Sequence, residues 1–343
     1  MSSKPKILLI YTGGTIGMSK DFETGALKAF NFGKLLQKIP EIKQLDCDIE
    51  TVSFEEPIDS SNMNPQEWTK IATIIEENYI AYDGFVVLHG SDTMSYSASA
   101  LSFMLENLAK PVVFTGSQLP IGDLRTDAKE NLITAIQIAS LQENGKPVIT
   151  EVCLYFEYKL YRGNRTSKVN AEHFRAFTAP NYPELVESGV HLKLNTHLFL
   201  PVKTAAKLIV HKEMDNHVAI IKMFPGMSEV VLASILAIKD LKGIVLETYG
   251  SGNAPTEDWF LDLIEKAIQS GLHIVNVTQC SGGSVNMGQY ETSTALKSLG
   301  VISGKDITTE AAITKLMYLL GQNIPQTEFK AIFETALRGE ISL

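Results

Sequence analysis

Short apolar runs alternate with longer amphipathic segments along the first 160 residues of the chain. The runs are rich in β-branched and aromatic residues and predict buried strands over 6–11, 84–88, 111–115 and 152–156. Between them, apolar residues recur at helical spacing over 65–79, 95–107 and 126–141. Strands that are apolar on both faces and separated by helices indicate a parallel sheet covered by helices on both sides. In such sheets, ligands bind beyond the carboxyl ends of the strands.

A polar stretch over residues 181–215 follows neither period, and we interpret it as a linker between domains. The alternation then resumes with predicted strands over 218–224, 243–246 and 273–277, and with helices that start at Ser228 and Thr256 or cover 309–320. We therefore expect an α/β protein with a larger N-terminal domain, whose mainly parallel sheet is flanked by helices, and a smaller C-terminal α/β domain. The predicted bounds are 1–190 for the first domain, 191–214 for the linker and 215–343 for the second domain.

Composition narrows the class of protein. With 45% hydrophobic and 20% charged residues among 343, the chain is typical of a globular protein rather than a disordered one. Thirty basic residues against 39 acidic ones give a net charge of −9, which argues against nucleic acid or an anionic membrane as a partner. No apolar run reaches the ~18 residues of a membrane span, and the start has no signal-peptide core, so we expect a cytoplasmic location.

Metal and cofactor sites have no support in the sequence. The three cysteines are far apart and form no CxxC pair, and the histidines show no ligand spacing such as HExxH. No GxxxxGK[ST] phosphate loop occurs, and GGTIG at 13–17 departs from GxGxxG. We expect a protein without a metal site, a disulfide framework or a phosphate-binding loop.

The first candidate site follows the strand over 6–11, in the sequence Thr-Gly-Gly-Thr-Ile-Gly at 12–17. Two adjacent glycines allow a tight turn and a close approach of a ligand to the backbone. Thr15 would then present its hydroxyl in the crevice beyond the sheet. A plain Gly-Gly turn is the alternative interpretation.

The second candidate site, 89–94, places a hydroxyl and a carboxylate side by side in the sequence His-Gly-Ser-Asp-Thr-Met. Ser91 and Asp92 are common helix N-caps, and a helix follows, so capping is the alternative to a catalytic role. The free N–H groups of such a turn also suit an oxyanion. His89 lacks the GxSxG elbow of a serine hydrolase, and we interpret it as a packed or backbone-bonded histidine.

The third candidate site, 161–168, contains three cations: Arg162, Arg165 and Lys168. This density is typical of a solvated loop. A lysine that lies beside the Ser/Asp pair would instead be able to lose its proton on desolvation and serve as a base. The segment 59–64, with the sequence Asp-Ser-Ser-Asn-Met-Asn, is typical of a capped turn before the helix that starts at Pro65.

Taken together, these segments resemble the bacterial-type asparaginases, specifically their cytosolic type I branch. The resemblance rests on nine ordered segments: TGGTIG at 12–17, DSSNM at 59–63, DGFVVLHGSDTM at 83–94, SALSFMLENL at 99–108, KPVVFTGSQ at 110–118, LYRGNRTSK at 160–168, YGSGNAP at 249–255, NVTQC at 276–280 and LRGEIS near the end. It covers nearly the whole chain.

This resemblance implies hydrolysis of L-asparagine to L-aspartate and ammonia without a metal or cofactor. It implies that Thr15 is the nucleophile and that Ser91, Asp92 and Lys168 form a second catalytic set. By the same resemblance, the substrate is contacted by Asp59, Ser60, Ser61, Ser91 and Asp92. It also implies a homo-oligomer, a dimer or a dimer of dimers, with the site near a dimer interface.

Three positions depart from the family pattern. Residue 91 is serine where threonine is usual, and Ala26 falls where the family has a lid tyrosine. Glu247 stands where some cytosolic relatives use an arginine to bind a regulatory asparagine. Because a carboxylate repels the α-carboxylate of asparagine, we expect this regulation to be weakened or absent.

Two other functions compete with asparagine hydrolysis. One branch of the superfamily is the asparaginase-like subunit of a transfer-RNA amidotransferase, which the acidic balance of this chain disfavours. The other is a non-catalytic asparagine sensor on the same fold. Loss of the lid tyrosine and of threonine at 91 favours a sensor, whereas Thr15, Asp92 and Lys168 favour an enzyme.

Overall fold

A computed structural model describes residues 4–20, 27–29, 39–201, 206–288 and 291–342. The chain forms two compact units, Met1–Lys212 and Glu213–Leu343. Both combine strands with helices, and the expected α/β fold is confirmed. Ala26, where the lid tyrosine was expected, lies outside the described residues.

The first unit is built on a mainly parallel sheet. Its strands are β1 Lys6–Gly13, β2 Met18–Lys20, β3 Leu27–Ala29, β4 Asp48–Ile58, β5 Gly84–Leu88, β6 Leu105–Glu106, β7 Val112–Thr115, β8 Gln142–Glu143, β9 Lys146–Pro147, β10 Val152–Phe156, β11 Lys159–Arg162, β12 Ser167–Lys168, β13 Phe177–Thr178, β14 Val186–Ser188, β15 Leu192–Leu194 and β16 Ile209–Val210. Its helices are α1 Pro65–Asn78, α2 Met94–Met104 and α3 Ala128–Ala139. Among the described residues, eight strands form the main sheet in the order β15-β14-β11-β10-β7-β5-β1-β4.

The central strands form where the apolar runs predicted them. β1, β4, β5, β7 and β10 run parallel, and every residue of β5, β7 and β10 is buried. The predicted helices are confirmed with ends shifted by a few residues. α1 begins at Pro65 because the Asn64 side chain accepts hydrogen bonds from the N–H groups of Gln66 and Glu67, at 3.0 and 3.2 Å.

The prediction that residues 181–215 lack strand structure is wrong. β14 and β15 lie in this stretch and extend the main sheet by antiparallel pairing beyond β11. Each has three residues, too few for an alternating pattern to be recognised in the sequence. β4 also has no counterpart among the predictions, because most of its residues are exposed or half-buried and several are acidic.

The second unit repeats the plan on a smaller scale. Its strands are β17 Val218–Lys222, β18 Gly243–Thr248, β19 His273–Thr278 and β20 Ile302–Ser303, and its helices are α4 Glu229–Leu236, α5 Asp258–Gln269, α6 Glu291–Ser298, α7 Thr309–Gly321 and α8 Gln326–Phe333. The strands pair in parallel in chain order. The helix predicted to start at Ser228 is α4, and Ser228 caps it, since its hydroxyl accepts a hydrogen bond from Val231 N–H.

No helix within the described ranges is long and apolar enough to cross a membrane.

A buried lysine holds the end of the chain against α7. Lys315 is fully buried, and its Nζ donates to the carbonyl oxygens of Phe333 and Thr335 at 2.6 and 2.7 Å and to the Glu340 carboxylate. Burial lowers the pKa of Lys315. Burial also opposes the charge of Glu340, but the lysine and the backbone N–H groups of Leu337 and Arg338 keep the pKa of this carboxyl below its usual value.

Replacement of Lys315 by methionine is expected to destabilise the second unit by about 3–5 kcal/mol, because it leaves a buried carboxylate without its partner. The chain has two tryptophans, and Trp259 lies in the second unit. Urea unfolding followed by Trp259 fluorescence in a Trp68→Phe background measures this change. The double variant K315M/E340Q removes the unpaired charge and should recover part of the loss. A loss below ~1 kcal/mol for K315M would contradict the assigned role of the pair.

Candidate active site

The candidate site lies at one edge of the main sheet, where three neighbouring strands end. β1 pairs in parallel with β4 on one side and β5 on the other. Because parallel neighbours end at the same edge, the segments 12–17, 59–62 and 89–94 come together there. The fold thus brings together three segments whose residues the resemblance implies for the site.

Glycines allow these strand ends to touch through their backbones. A Cβ atom on Gly13 would lie 2.1 Å from the carbonyl oxygen of Ile58, and one on Gly14 would lie 2.5 Å from the nitrogen of Gly90. A Cβ atom on Gly90 would lie 2.5 Å from Ser60 Oγ. Gly13 and Gly14 also have φ values of 136° and 88°, which L side chains rarely adopt. The Gly-Gly pair led us to expect the close approach of a ligand; the structure instead places the backbone of Ile58 against Gly13 and that of Gly90 against Gly14.

Thr15 follows this contact directly, in a single 3₁₀ turn over Thr15–Gly17. Its side chain is half-buried. The preceding hydroxyl, on Thr12, is buried and donates to the carbonyl oxygen of Leu88 at 3.0 Å, which ties β1 to β5. Of the two threonines in this motif, Thr12 thus serves the sheet and Thr15 is the one left at its edge.

Ser91, Asp92 and Lys168 form one hydrogen-bonded group. Lys168 Nζ donates to Ser91 Oγ at 2.8 Å and to Asp92 Oδ1 at 2.6 Å. The alternative of helix capping by Ser91 or Asp92 is wrong, because no side chain caps the turn over Ser91–Thr93 or the following α2. The N-cap positions are instead Gly90 for the turn and Thr93 for α2, so Ser91 and Asp92 lie inside the turn.

Gln118 completes the surroundings of Ser91 and was missed as a site residue. The Ser91 hydroxyl donates to Gln118 Oε1 at 3.0 Å, and Gln118 Nε2 donates to the carbonyl oxygens of Ala171 and His173 at 3.1 and 3.2 Å. The turn that follows β7 could have pointed to it, because Gln118 ends the motif KPVVFTGSQ at a strand exit.

The segment that carries Lys168 is packed into the protein, so its interpretation as a solvated loop is wrong. Arg162 and Arg165 are buried. The Arg162 guanidinium pairs with the buried carboxylate of Glu151 at 2.5 Å and lies 4.4 Å from the ring centre of Tyr182. Sequence spacing could not reveal this, because Glu151 precedes the buried β10 and meets Arg162 only through the β10–β11 hairpin.

Asp59, Ser60 and Ser61 form the third part of the site, as a capped turn. Asp59 Oδ1 accepts from the Ser61 N–H at 2.9 Å and from the Ser61 hydroxyl at 2.8 Å. These two hydrogen bonds, the backbone one first, lower the pKa of Asp59. Ser60 is buried against Gly90, and its carbonyl oxygen accepts from Thr93 Oγ1 at 2.7 Å. The turn is therefore fixed to the segment that carries Ser91.

His89 is buried and hydrogen-bonded to the backbone, as expected. Its Nδ1 lies 2.7 Å from the carbonyl oxygen of Gly90, and its Nε2 lies 2.9 Å from Ser97 Oγ. Burial lowers the pKa of His89 to about 4. The ring is neutral at physiological pH and makes no ion pair with Asp92.

Within the part of the chain that the structure describes, no group of three or more His, Cys, Asp or Glu side chains could hold a metal ion.

Glu247 accepts from Thr309 Oγ1 at 2.6 Å and lies 3.7 Å from Lys222 Nζ. Its carboxylate is thus held at the end of β18, and the weakened regulation expected from it stays a prediction.

Comparisons with known protein families match both units. A family model described as "Asparaginase, N-terminal" matches residues 6–199. A second model, "Glutaminase/Asparaginase C-terminal domain", matches residues 217–333.

Individual relatives match over almost the full length of this chain. The chain is 42% identical to L-asparaginase 1 of Escherichia coli K12, over 99% of its own length and 98% of the length of that protein. It is 40% identical to the 60 kDa lysophospholipase of Mus musculus, over all of its own length and 64% of that protein. The crystal structure of L-asparaginase I from Vibrio cholerae superposes with a TM-score of 0.90 at 42% identity, covering 99% of this chain and 100% of that one.

Replacement of Gly90 by alanine is expected to destabilise the first unit by about 1–3 kcal/mol, because the new methyl group overlaps Ser60. Gly122→Ala is the matched control, since no atom lies within 4 Å of its added Cβ. Urea unfolding followed by Trp68 fluorescence in a Trp259→Phe background compares the two. The double variant G90A/S60G removes the overlapping side chain and should regain stability; equal stability of G90A and G122A would argue against the close contact.

The stability of the first unit should fall in acid because of His89. The unfolded chain takes up a proton near pH 6.5, whereas the folded protein does so only near pH 4. Acidification from pH 7 to 4 is therefore expected to remove about 3 kcal/mol through this group alone. His89→Asn abolishes this part of the pH dependence, and the same urea measurement at both pH values tests it. An unchanged slope in the variant would mean that His89 titrates normally in the folded protein.

Proposed function

Since the chain belongs to the asparaginase family, we propose that it hydrolyses L-asparagine to L-aspartate and ammonia through an acyl-enzyme on Thr15. The observation that carries this proposal is the meeting of Thr15, the Ser91–Asp92–Lys168 group and the Asp59 turn at one sheet edge. The relatedness to L-asparaginase 1 of Escherichia coli supports the choice of substrate. The homo-oligomer, which the resemblance implies, and the cytoplasmic location, which the apolar runs of the sequence led us to expect, stay predictions.

The acidic side chains suit the charged ends of asparagine. In this proposal, the carboxylates of Asp59 and Asp92 attract the substrate α-ammonium group. The hydroxyls of Ser60 and Ser61 suit its α-carboxylate, and the Ser61 hydroxyl would turn from Asp59 to the substrate for this contact. The Asp92 side chain is 66% exposed, so a ligand can reach it without displacing a buried residue.

In the first step, Thr15 Oγ1 attacks the side-chain amide carbon, and the carbonyl electron pair moves to the amide oxygen. A threonine hydroxyl needs a base for this attack. We assign this role to Lys168 in its neutral form, which would receive the Thr15 proton through the Ser91 hydroxyl. The relay requires the Ser91 proton to turn from Gln118 to Lys168. Serine retains the hydroxyl that threonine would supply at this position.

In the second step, the amide nitrogen takes the proton back from Lys168 through the Ser91 hydroxyl and leaves as ammonia, and a β-aspartyl ester remains on Thr15. Water then attacks the ester carbon, and the proton that it gives up passes to Thr15 Oγ1 as this oxygen leaves. Both attacks, by Thr15 and by water, place negative charge on the former amide oxygen, which fixed hydrogen-bond donors stabilise. We assign this role to backbone N–H groups of the 90–92 turn.

Thr15→Val is expected to reduce ammonia release from asparagine at least about a thousandfold while leaving the fold intact, because valine keeps the shape and lacks the nucleophile. Thr12→Val is the matched control: it makes the same change three residues earlier, where the hydroxyl serves the sheet. Ammonia release from asparagine and from glutamine by the purified protein measures both variants.

Two outcomes would contradict this proposal. Retention of more than a tenth of the activity in T15V would mean that the nucleophile is misassigned. Binding of asparagine without ammonia release from either amide by the unmodified protein would instead favour the sensor.

A further inference from the structure

A chain of three buried side chains ends at the backbone beside Ser91. Trp68 Nε1 on α1 donates to Ser97 Oγ on α2 at 2.9 Å, and Ser97 Oγ lies 2.9 Å from His89 Nε2. His89 Nδ1 lies 2.7 Å from the Gly90 carbonyl oxygen. Trp68, Ser97 and His89 are all buried.

The partners assign a direction to each of these hydrogen bonds. A carbonyl oxygen only accepts, so Nδ1 of His89 carries the ring proton and donates to Gly90. Nε2 of the neutral ring then accepts the hydroxyl proton of Ser97, and Ser97 accepts from Trp68 in turn. Every polar side-chain atom of Trp68, Ser97 and His89 thus has a hydrogen-bond partner. The Gly90 carbonyl is held toward the buried His89 ring.

The orientation of this carbonyl also sets that of the next N–H group. In a planar trans peptide, the C=O of Gly90 and the N–H of Ser91 point in opposite directions. A carbonyl held toward the buried His89 ring therefore leaves the Ser91 N–H directed away from that ring. Among the described residues, no backbone carbonyl oxygen accepts from this N–H.

We propose that His89 is a positioning residue of the reaction, which aims the Ser91 N–H at the developing oxyanion by holding the Gly90 carbonyl. This role rests on the proposed function and adds to it a residue outside the catalytic group. An apolar side chain would fill the same space without two ring nitrogens to satisfy, so packing alone does not require histidine here. Glycine at 90 makes such a hold useful, because a residue without Cβ leaves its peptide free to rotate.

Two substitutions of His89 test its two hydrogen bonds separately, since each keeps one of them and removes the other. The amide nitrogen of asparagine is as many bonds from Cβ as Nδ1 of histidine, so His89→Asn retains a donor for Gly90 and loses Ser97. The amide of glutamine reaches as far as Nε2, so His89→Gln retains the contact with Ser97 and loses the donor for Gly90. Both variants lose part of the buried ring and should be destabilised alike.

The expected result is a difference in kcat between the variants. An oxyanion donor acts mainly in the transition state, so H89Q should lose about 10- to 100-fold in kcat for asparagine with KM changed less than about threefold. H89N should keep a kcat at least about tenfold above that of H89Q. Crystal structures of both variants should show the Gly90 carbonyl still facing residue 89 in H89N and turned away in H89Q.

The matched controls are H273N and H273Q, at a half-buried histidine of the second unit that stacks on Phe329. Both control variants should lower stability, and their kcat values should be equal to each other. Equal kcat values for H89N and H89Q, a loss confined to KM, or an unturned peptide in H89Q would overturn the role of His89. Failure of the proposed function is distinguishable, because the unmodified protein would then release no ammonia from either amide.

Discussion

The contact between Gly14 and Gly90 is the constraint on which the site depends. It brings the ends of β1 and β5 so close that no side chain fits between them. Each glycine is followed by a hydroxyl-bearing residue, Thr15 or Ser91, so the contact sets both hydroxyls beside the same crevice. The same crowding reaches Ser60 through Gly90 and so fixes the turn that carries Asp59. One steric condition in the backbone thus places parts of three strands that are distant in sequence.

The central fold could be predicted from the sequence because its strands are buried on both faces. The run Gly84–Leu88 is apolar throughout and is observed with the predicted bounds. The strands at the sheet edges left no such signal, since β4 is largely exposed and β14 and β15 have three residues each. The stretch interpreted as a linker therefore contains part of the sheet. The spacing of apolar residues reflects which side chains are buried, so it does not predict strands that bury few side chains.

Within the site, residue types were easier to predict than partners. Ser91 and Asp92 were recognised, but capping and catalysis predict the same residues at a strand exit. The structure excludes capping, because neither side chain caps the turn or α2 and both accept hydrogen bonds from Lys168. Arg162 was predicted to lie in a solvated loop, because its partner, Glu151, is brought to it only by the β10–β11 hairpin. Gln118 carries no charge and no motif of its own, so its place beside Ser91 is visible only in three dimensions.

The use of glycine at the strand ends also bears on how this site can evolve. Backbone placement is carried by positions 13, 14 and 90, where any side chain meets an immediate obstacle. The neighbouring side chains are relieved of that task, so they can be exchanged without moving the strands. Serine in place of threonine at 91 is an exchange of this kind, since it keeps the hydroxyl and changes only a methyl group. A lineage can therefore tune selectivity or rate through such neighbours while its architecture stays locked.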